Sequence, residues 1–109
     1  DMIIGLSTHT VAQAGEAEER GADYVGVGPV FPTRTKGYDT GGGLDLVGQL
    51  CRATSLPTVA IGGITAADAG AVLRAGAQAV AACSALCGGD DPVEAAREFR
   101  RSIEENTDR

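Results

Sequence analysis

Four times along this chain a short apolar run ends in small, hydroxyl-bearing or cationic residues and gives way to a helix-like segment. The runs are Met2–Leu6, Asp23–Val30, Pro57–Ile61 and Ala79–Cys83. At their ends stand Ser7-Thr8-His9-Thr10, Pro32-Thr33-Arg34-Thr35-Lys36-Gly37, Ile61-Gly62-Gly63-Ile64 and Cys83-Ser84-Ala85. The runs are continuous rather than alternating, the pattern of parallel strands buried on both faces. A β-then-α repeat of this kind leaves few architectures, because each crossover must return the chain to the same end of the sheet. The loops that follow the strands then all gather at one edge.

The helical segments are expected at Val11–Arg20, Leu44–Ala53, Ala66–Ala75 and Pro92–Glu105. Thr10 is placed to cap the first and Gly21 to stop it. Thr65 and Asp68 have the spacing of a capping box on the third, and Pro92 suits the first turn of the last. In that last helix Val93, Ala96, Phe99 and Ile103 form the expected apolar face, opposite Glu94, Arg97, Glu98 and Arg101. The Pro32–Gly43 connection is long, polar and glycine-rich, which favours a binding loop or lid over a simple connector. The chain reads as one α/β domain over residues 1–109. Four units are half of a TIM (β/α)8 barrel, and the amide-rich strand ends fit the phosphate site of such barrels better than a small open sheet does. Asp1 runs straight into the first apolar stretch, as expected of a piece cut from something longer.

Composition narrows the ligand. The 109 residues include 16 glycines, and 43% hydrophobic residues against 4% aromatics imply a core of Val, Ile, Leu and Ala. A net charge of −6 without a basic stripe argues against nucleic acid as the main partner. An acidic protein still binds anions where a pocket focuses local donors. The three cysteines Cys51, Cys83 and Cys87 have neither metal-ligand spacing nor an even count for disulfides, as expected of free thiols in a reducing cytoplasm. No stretch approaches the roughly 18 apolar residues of a membrane helix, and the start has no basic n-region of a signal peptide.

Thr33, Arg34, Thr35 and Lys36 put two hydroxyls, a guanidinium and an ammonium side by side, a donor set suited to phosphate or pyrophosphate. The same run is also readable as an exposed polar loop with no ligand. Gly62-Gly63 ahead of a capped helix either lets backbone approach an anion or only makes a tight turn. Ser84, after the next strand, either shares that phosphate or bonds to backbone in the interior. Ser7 and His9 follow the first strand without an acid at triad spacing, so Ser7 reads as a positioning hydroxyl rather than a nucleophile. His9, the single histidine, reads either as a ligand or proton-transfer group or as a loop hydrogen bonder. Solvation and capping account for Asp23, Asp39, Asp68, Asp90 and Asp91, none of which pairs as a metal site.

Taken in order, Gly5-Leu6-Ser7-Thr8-His9-Thr10, the stretch from Gly21 to Phe31, Pro32-Thr33-Arg34-Thr35-Lys36, Ala60-Ile61-Gly62-Gly63-Ile64 and Ser84-Ala85 resemble thiamine-phosphate synthases, over the C-terminal half of that family's barrel. The resemblance implies a Mg²⁺-dependent transferase that joins a pyrimidine diphosphate to a thiazole phosphate and releases pyrophosphate. It implies that Ser7 and Lys36 contact the pyrimidine diphosphate, with catalytic roles. It implies thiazole-phosphate binding by Thr33, Arg34, Thr35, Gly63, Cys83 and Ser84. The family's pyrimidine-recognition tract and Mg²⁺-binding aspartates are expected upstream of Asp1. Asp1 itself stands too close to Ser7 to replace them. No metal ligand is therefore expected in this chain, and the polypeptide alone is expected to be inactive. The family's thiazole tautomerase relatives share the fold and a histidine near His9, but the intact Pro-Thr-x-Thr-Lys tract favours the synthase. A non-catalytic phosphate-binding half-barrel is the remaining alternative.

A half-barrel leaves two strand edges unpaired and one sheet face without helices. The inner face, expected to carry Ile4, Val27, Ala60 and Ala81, would leave several hundred Å² of apolar surface wet, on the order of 10 kcal/mol at ~25 cal/mol per Å². Self-association is the expected response.

Overall fold

The computed structural model describes residues 2–31, 42–82 and 90–107. Their order is β1 (Gly5–Thr8), α1 (Val11–Glu16), β2 (Tyr24–Val27), α2 (Gly43–Arg52), β3 (Thr58–Ile61), α3 (Ala66–Arg74), β4 (Ala79–Ala81) and α4 (Pro92–Thr107). The strands form one parallel sheet in the order β1-β2-β3-β4. The register pairs Ser7 with Gly26, Gly26 with Val59, and Val59 with Ala79.

The local signals act where they stand. Thr10, in extended conformation, accepts from the Gln13 N–H at 3.1 Å and starts α1. Hydrogen-bonded turns carry on beyond Glu16 to Gly21. There Gly21 N–H donates to Glu18 O and Ala22 N–H to Ala17 O, the paired closure of a Schellman ending, with Gly21 at φ +87. At α3, Thr65 N–H and Oγ1 both reach Asp68 Oδ2, at 3.2 and 2.7 Å, completing the capping box.

Strand 1 begins three residues later than its apolar run implied. Strand 2 starts only at Tyr24, after the Gly21 turn, so Met2 and Ile3 have no partner in β2. Asp23 marks the limit: its N–H donates to Ile4 O at 2.7 Å, and its Oδ2 accepts from Ile4 N–H at 2.8 Å.

One face of the sheet is covered. Thr8, Val25, Val27, Thr58 and Ala60 point to the helices and are buried with Val47 and Leu50 of α2 and Val72 of α3. The buried Thr8 hydroxyl donates to Gly26 O at 2.8 Å, and Thr58 Oγ1 accepts from Gln78 N–H at 3.2 Å, so neither polar side chain is left wanting. Val27 and Ala60, expected on the inner face, therefore lie on the helix side. Strand alternation decides this: Val27 shares a face with Thr8 and Ala60 through the register, and that face carries α2 and α3. The opposite face holds Ser7, Tyr24, Val59, Ile61, Ala79 and Ala81, all half-buried or exposed. Tyr24 lies flat along it, its ring occupying the space that a Cβ at Gly5 would need.

Helix α4 packs on α3 through a face shifted from the expected one. Phe99 is buried with Ala95, Ser102 and Ile103 half-buried beside it, whereas Val93 and Ala96 are exposed. Phe99 sets the orientation, since it is the one large ring available to fill the gap over α3, and its neighbours at i−4, i+3 and i+4 follow. Glu94 and Arg101 pair at 3.1 Å on the solvent side, a contact worth little at the surface.

Two substitutions separate core from cap. Leu50→Ala should destabilise by about 2–5 kcal/mol as a fully buried truncation. Asp68→Ala should remove only about 1 kcal/mol of capping. Urea denaturation at fixed protein concentration measures both, and a larger loss from Asp68→Ala would mean that the capping box organises more than α3.

Candidate functional site at the strand C-terminal edge

Parallel pairing brings the ends of β1, β2 and β3 together, and hydrogen bonds lace them. His9, just past β1, places its Nδ1 2.6 Å from Gly28 O, just past β2. With Nδ1 protonated the ring is the donor in this bond. The Gly28 N–H reaches back to Thr8 O at 3.3 Å, and the His9 N–H donates to Gln13 Oε1 at 2.8 Å. From β2 toward β3, Val30 N–H donates to Ile61 O at 3.1 Å and Phe31 N–H to Gly62 O at 2.9 Å. On the return, Gly42 N–H meets Pro29 O at 2.9 Å and Gly43 N–H meets Val30 O at 2.6 Å. The chain thus leaves the β2 end at Phe31 beside Gly62 and comes back to the same place at Gly42.

The two glycines after β3 do different work. Gly62, at φ +105, packs so closely on Pro29 that an added Cβ would sit 2.7 Å from Pro29 Cα. Gly63, at φ +67, is exposed, and its N–H has no acceptor among the described residues. Gly62 is thus a packing residue, whereas Gly63 is exposed backbone not consumed by that contact. The amide of Thr65 is already taken by Asp68, so the start of α3 is partly neutralised from within.

Ser7 is exposed on the face of β1 opposite the described helices, its Oγ 3.9 Å from where a Cβ on Gly26 would stand. A Cβ at Gly26 would only touch that hydroxyl at ordinary van der Waals distance. Ser7 and Gly63 therefore share the C-terminal edge of one sheet. Thr33, Arg34, Thr35, Lys36, Cys83 and Ser84 lie outside the described residues; those flanking the first four, Phe31 and Gly42, are part of the laced edge. Asp1, upstream of which the metal-binding aspartates were expected, also lies outside the described residues. Of the three cysteines, Cys51 is described; it is half-buried and carries no disulfide. Sequence reading placed His9 near the site without its bond to Gly28, because a contact between two strand ends has no local signature. The difference between Gly62 and Gly63 was likewise hidden, since it depends on Pro29 across the sheet. Among the described residues no group of three or more His, Cys, Asp or Glu could hold a metal ion, and no helix is long and apolar enough to cross a membrane.

The family model described as thiamine monophosphate synthase matches residues 1–86. The chain belongs to that family. It is 52% identical over 97 residues to a thiamine-phosphate synthase of Synechococcus sp. (strain WH7803), covering 89% of this chain and 28% of the relative. It is 46% identical over 105 residues to that of Bacillus velezensis, covering 94% and 47%. Among solved structures, thiamine phosphate pyrophosphorylase from Pyrococcus furiosus matches with a TM-score of 0.85 and 38% identity, over 97% of this chain and 50% of that one. The chain thus spans half or less of the length of these thiamine-phosphate synthase relatives, and its four βα units make the half-barrel that the strand count implied.

Because Gly62 is held by packing as well as by its φ, Gly62→Ala should cost about 1–3 kcal/mol more than Gly63→Ala, whose penalty is the ~1 kcal/mol of a left-handed alanine. Thermal denaturation of both variants checks this, and equal losses would remove the Pro29 contact from the account.

Proposed function

We propose that this chain supplies the phosphate-binding half of a thiamine-phosphate synthase, the transferase that couples a pyrimidine diphosphate to a thiazole phosphate. One observation carries the reading: in a member of this family, the exposed Gly63 amide stands beside the stem from which the Thr33–Lys36 donors depart, at the C-terminal edge of a parallel sheet. Gly63, Thr33, Arg34, Thr35, Cys83 and Ser84 bind the thiazole phosphate. Ser7 and Lys36 hold the diphosphate of the pyrimidine partner. Pyrophosphate departs with its negative charge growing, and the Lys36 ammonium offsets that charge where it develops, an electrostatic role that needs no nucleophile. Ser7 orients the diphosphate from the adjacent strand.

Mg²⁺ belongs to this reading through the resemblance and would add charge to the leaving pyrophosphate. Its ligands are assigned upstream of Asp1, outside this chain, so the roles given to these residues are binding and orientation. The partners are small phosphorylated molecules together with further βα units that complete the barrel. A cytoplasmic location goes with three cysteines that form neither a metal motif nor an even disulfide set.

Titration calorimetry of the chain tests the division of labour. Lys36→Ala should weaken pyrophosphate binding about tenfold, the loss of one charge-assisted contact, while leaving thiazole phosphate binding within about twofold. Gly63→Val should do the reverse, filling the space beside the amide. If Gly63→Val alters only thermal stability and thiazole phosphate binds as before, the glycine serves the turn and the assignment falls. The chain alone should form no thiamine phosphate when both substrates and Mg²⁺ are supplied, and product formation in that assay would refute the placement of the remaining machinery outside it.

A further inference from the structure

The end of β2 is tied unequally to its two neighbours. Toward β3, Val30 N–H donates to Ile61 O at 3.1 Å and Phe31 N–H to Gly62 O at 2.9 Å, both of ordinary length. Toward β1 the backbone supplies the Gly28 N–H to Thr8 O at 3.3 Å, beyond the usual range of an N–H···O bond. Beside that long bond stands the 2.6 Å contact of His9 Nδ1 with Gly28 O. The residue that carries the ring is seated from behind. Its N–H donates to Gln13 Oε1 at 2.8 Å, and the Gln13 N–H donates to Thr10 Oγ1 at 3.1 Å, at the first turn of α1. Gly28 has no slack on the other side, since a Cβ there would overlap the Ile61 carbonyl. A residue fixed at the start of α1 thus grips, through its ring, a glycine already pressed against β3.

We infer that His9 is a positioning residue that holds the β2 end, and the chain departing from it at Phe31, at a fixed distance from Ser7 on β1. The inference rests on the proposed reading in which one diphosphate spans Ser7 and Lys36. A carbonyl oxygen only accepts, so the ring carries its proton on Nδ1 in the neutral and the charged state alike. The bond therefore survives protonation of the ring, and the role needs no proton transfer. Ser7 stands two positions before His9 and pairs in register with Gly26, two positions before Gly28. Whatever lets the two strand ends part at His9 and Gly28 widens the span that a diphosphate has to bridge, and misplaced donors bind less well. The β2–β3 side, which carries Gly63, keeps its own two backbone bonds with or without the ring. His9 accordingly bears on the diphosphate and not on the thiazole phosphate.

Heteronuclear NMR of the chain reads the ring without any variant, because His9 is the single histidine. The neutral ring should be protonated on Nδ1, and a proton on Nε2 instead would overturn the inference. In amide exchange, His9→Ala should speed the Gly28 N–H about fivefold, the worth of one hydrogen bond, and leave the Phe31 N–H as it was. In calorimetry the same variant should weaken pyrophosphate binding about fivefold and thiazole phosphate binding by less than about twofold. His9→Asn puts a side-chain N–H where Nδ1 stood, and should restore both the Gly28 protection and the pyrophosphate affinity. His9→Gln, whose amide reaches further out, should restore neither. Equal weakening of the two ligands, or an Asn variant no better than the Ala one, would make the ring a general stability contact and overturn its positioning role. A wild-type chain that binds thiazole phosphate but no pyrophosphate would overturn the assignment of the diphosphate to Ser7 and Lys36. The clamp between the strand ends then stands or falls on the Gly28 exchange.

Discussion

Parallel strand pairing is the constraint from which the rest of this molecule follows. A parallel neighbour is reached only by a crossover, so each strand must be followed by a helix that carries the chain back along the sheet. The helices lie together on one face because the crossovers share one hand, and every strand ends at the same edge. The pairing of Ser7 with Gly26 and of Gly26 with Val59 therefore does two things at once. It buries Val25, Val27 and Ala60 under the helices, and it brings the His9 ring to Gly28 and Gly62 to Pro29 and Phe31. Core and site are two readings of a single register.

The parts of this structure that were legible in the sequence are those whose cause is local. The Thr10 cap, the Gly21 stop and the Thr65–Asp68 box depend on residues no more than a few positions apart, and each stands where its side-chain chemistry put it. The sheet order and the half-barrel count follow from the repeat itself. Less legible was anything decided by a distant neighbour. Met2-Ile3 has strand composition yet no partner in β2, which starts too late to pair with it. Val27 and Ala60 belong to a continuous apolar run in which neither face is marked by polarity, so alternation gave no purchase on which side the helices take. In α4 the single ring of Phe99 outweighs Val93 and Ala96, which a periodic count treats as its equals.

The sequence of the candidate site names donor groups but not their arrangement. Hydroxyls, amides and a lysine after strand-like runs are a donor set suited to an anion. What they do not announce is which glycine is structural. Gly62 and Gly63 are adjacent and chemically identical, and only the approach of Pro29 from another strand end gives them separate tasks. His9 shows the same dependence, since its bond to Gly28 joins residues nineteen positions apart in sequence.

The stem between Phe31 and Gly42 has an evolutionary side. Phe31 is tied to Gly62 and Gly42 to Pro29, so the two ends of the intervening segment are pinned to the sheet whatever lies between them. When the ends of a segment are already fixed, the entropy of closing it grows only logarithmically with its length. Selection is then free to change the sequence between these two anchors by insertion, deletion or exchange, without renegotiating strand register. The lacing works as a cassette socket, in which the rim can vary while the sheet stays put.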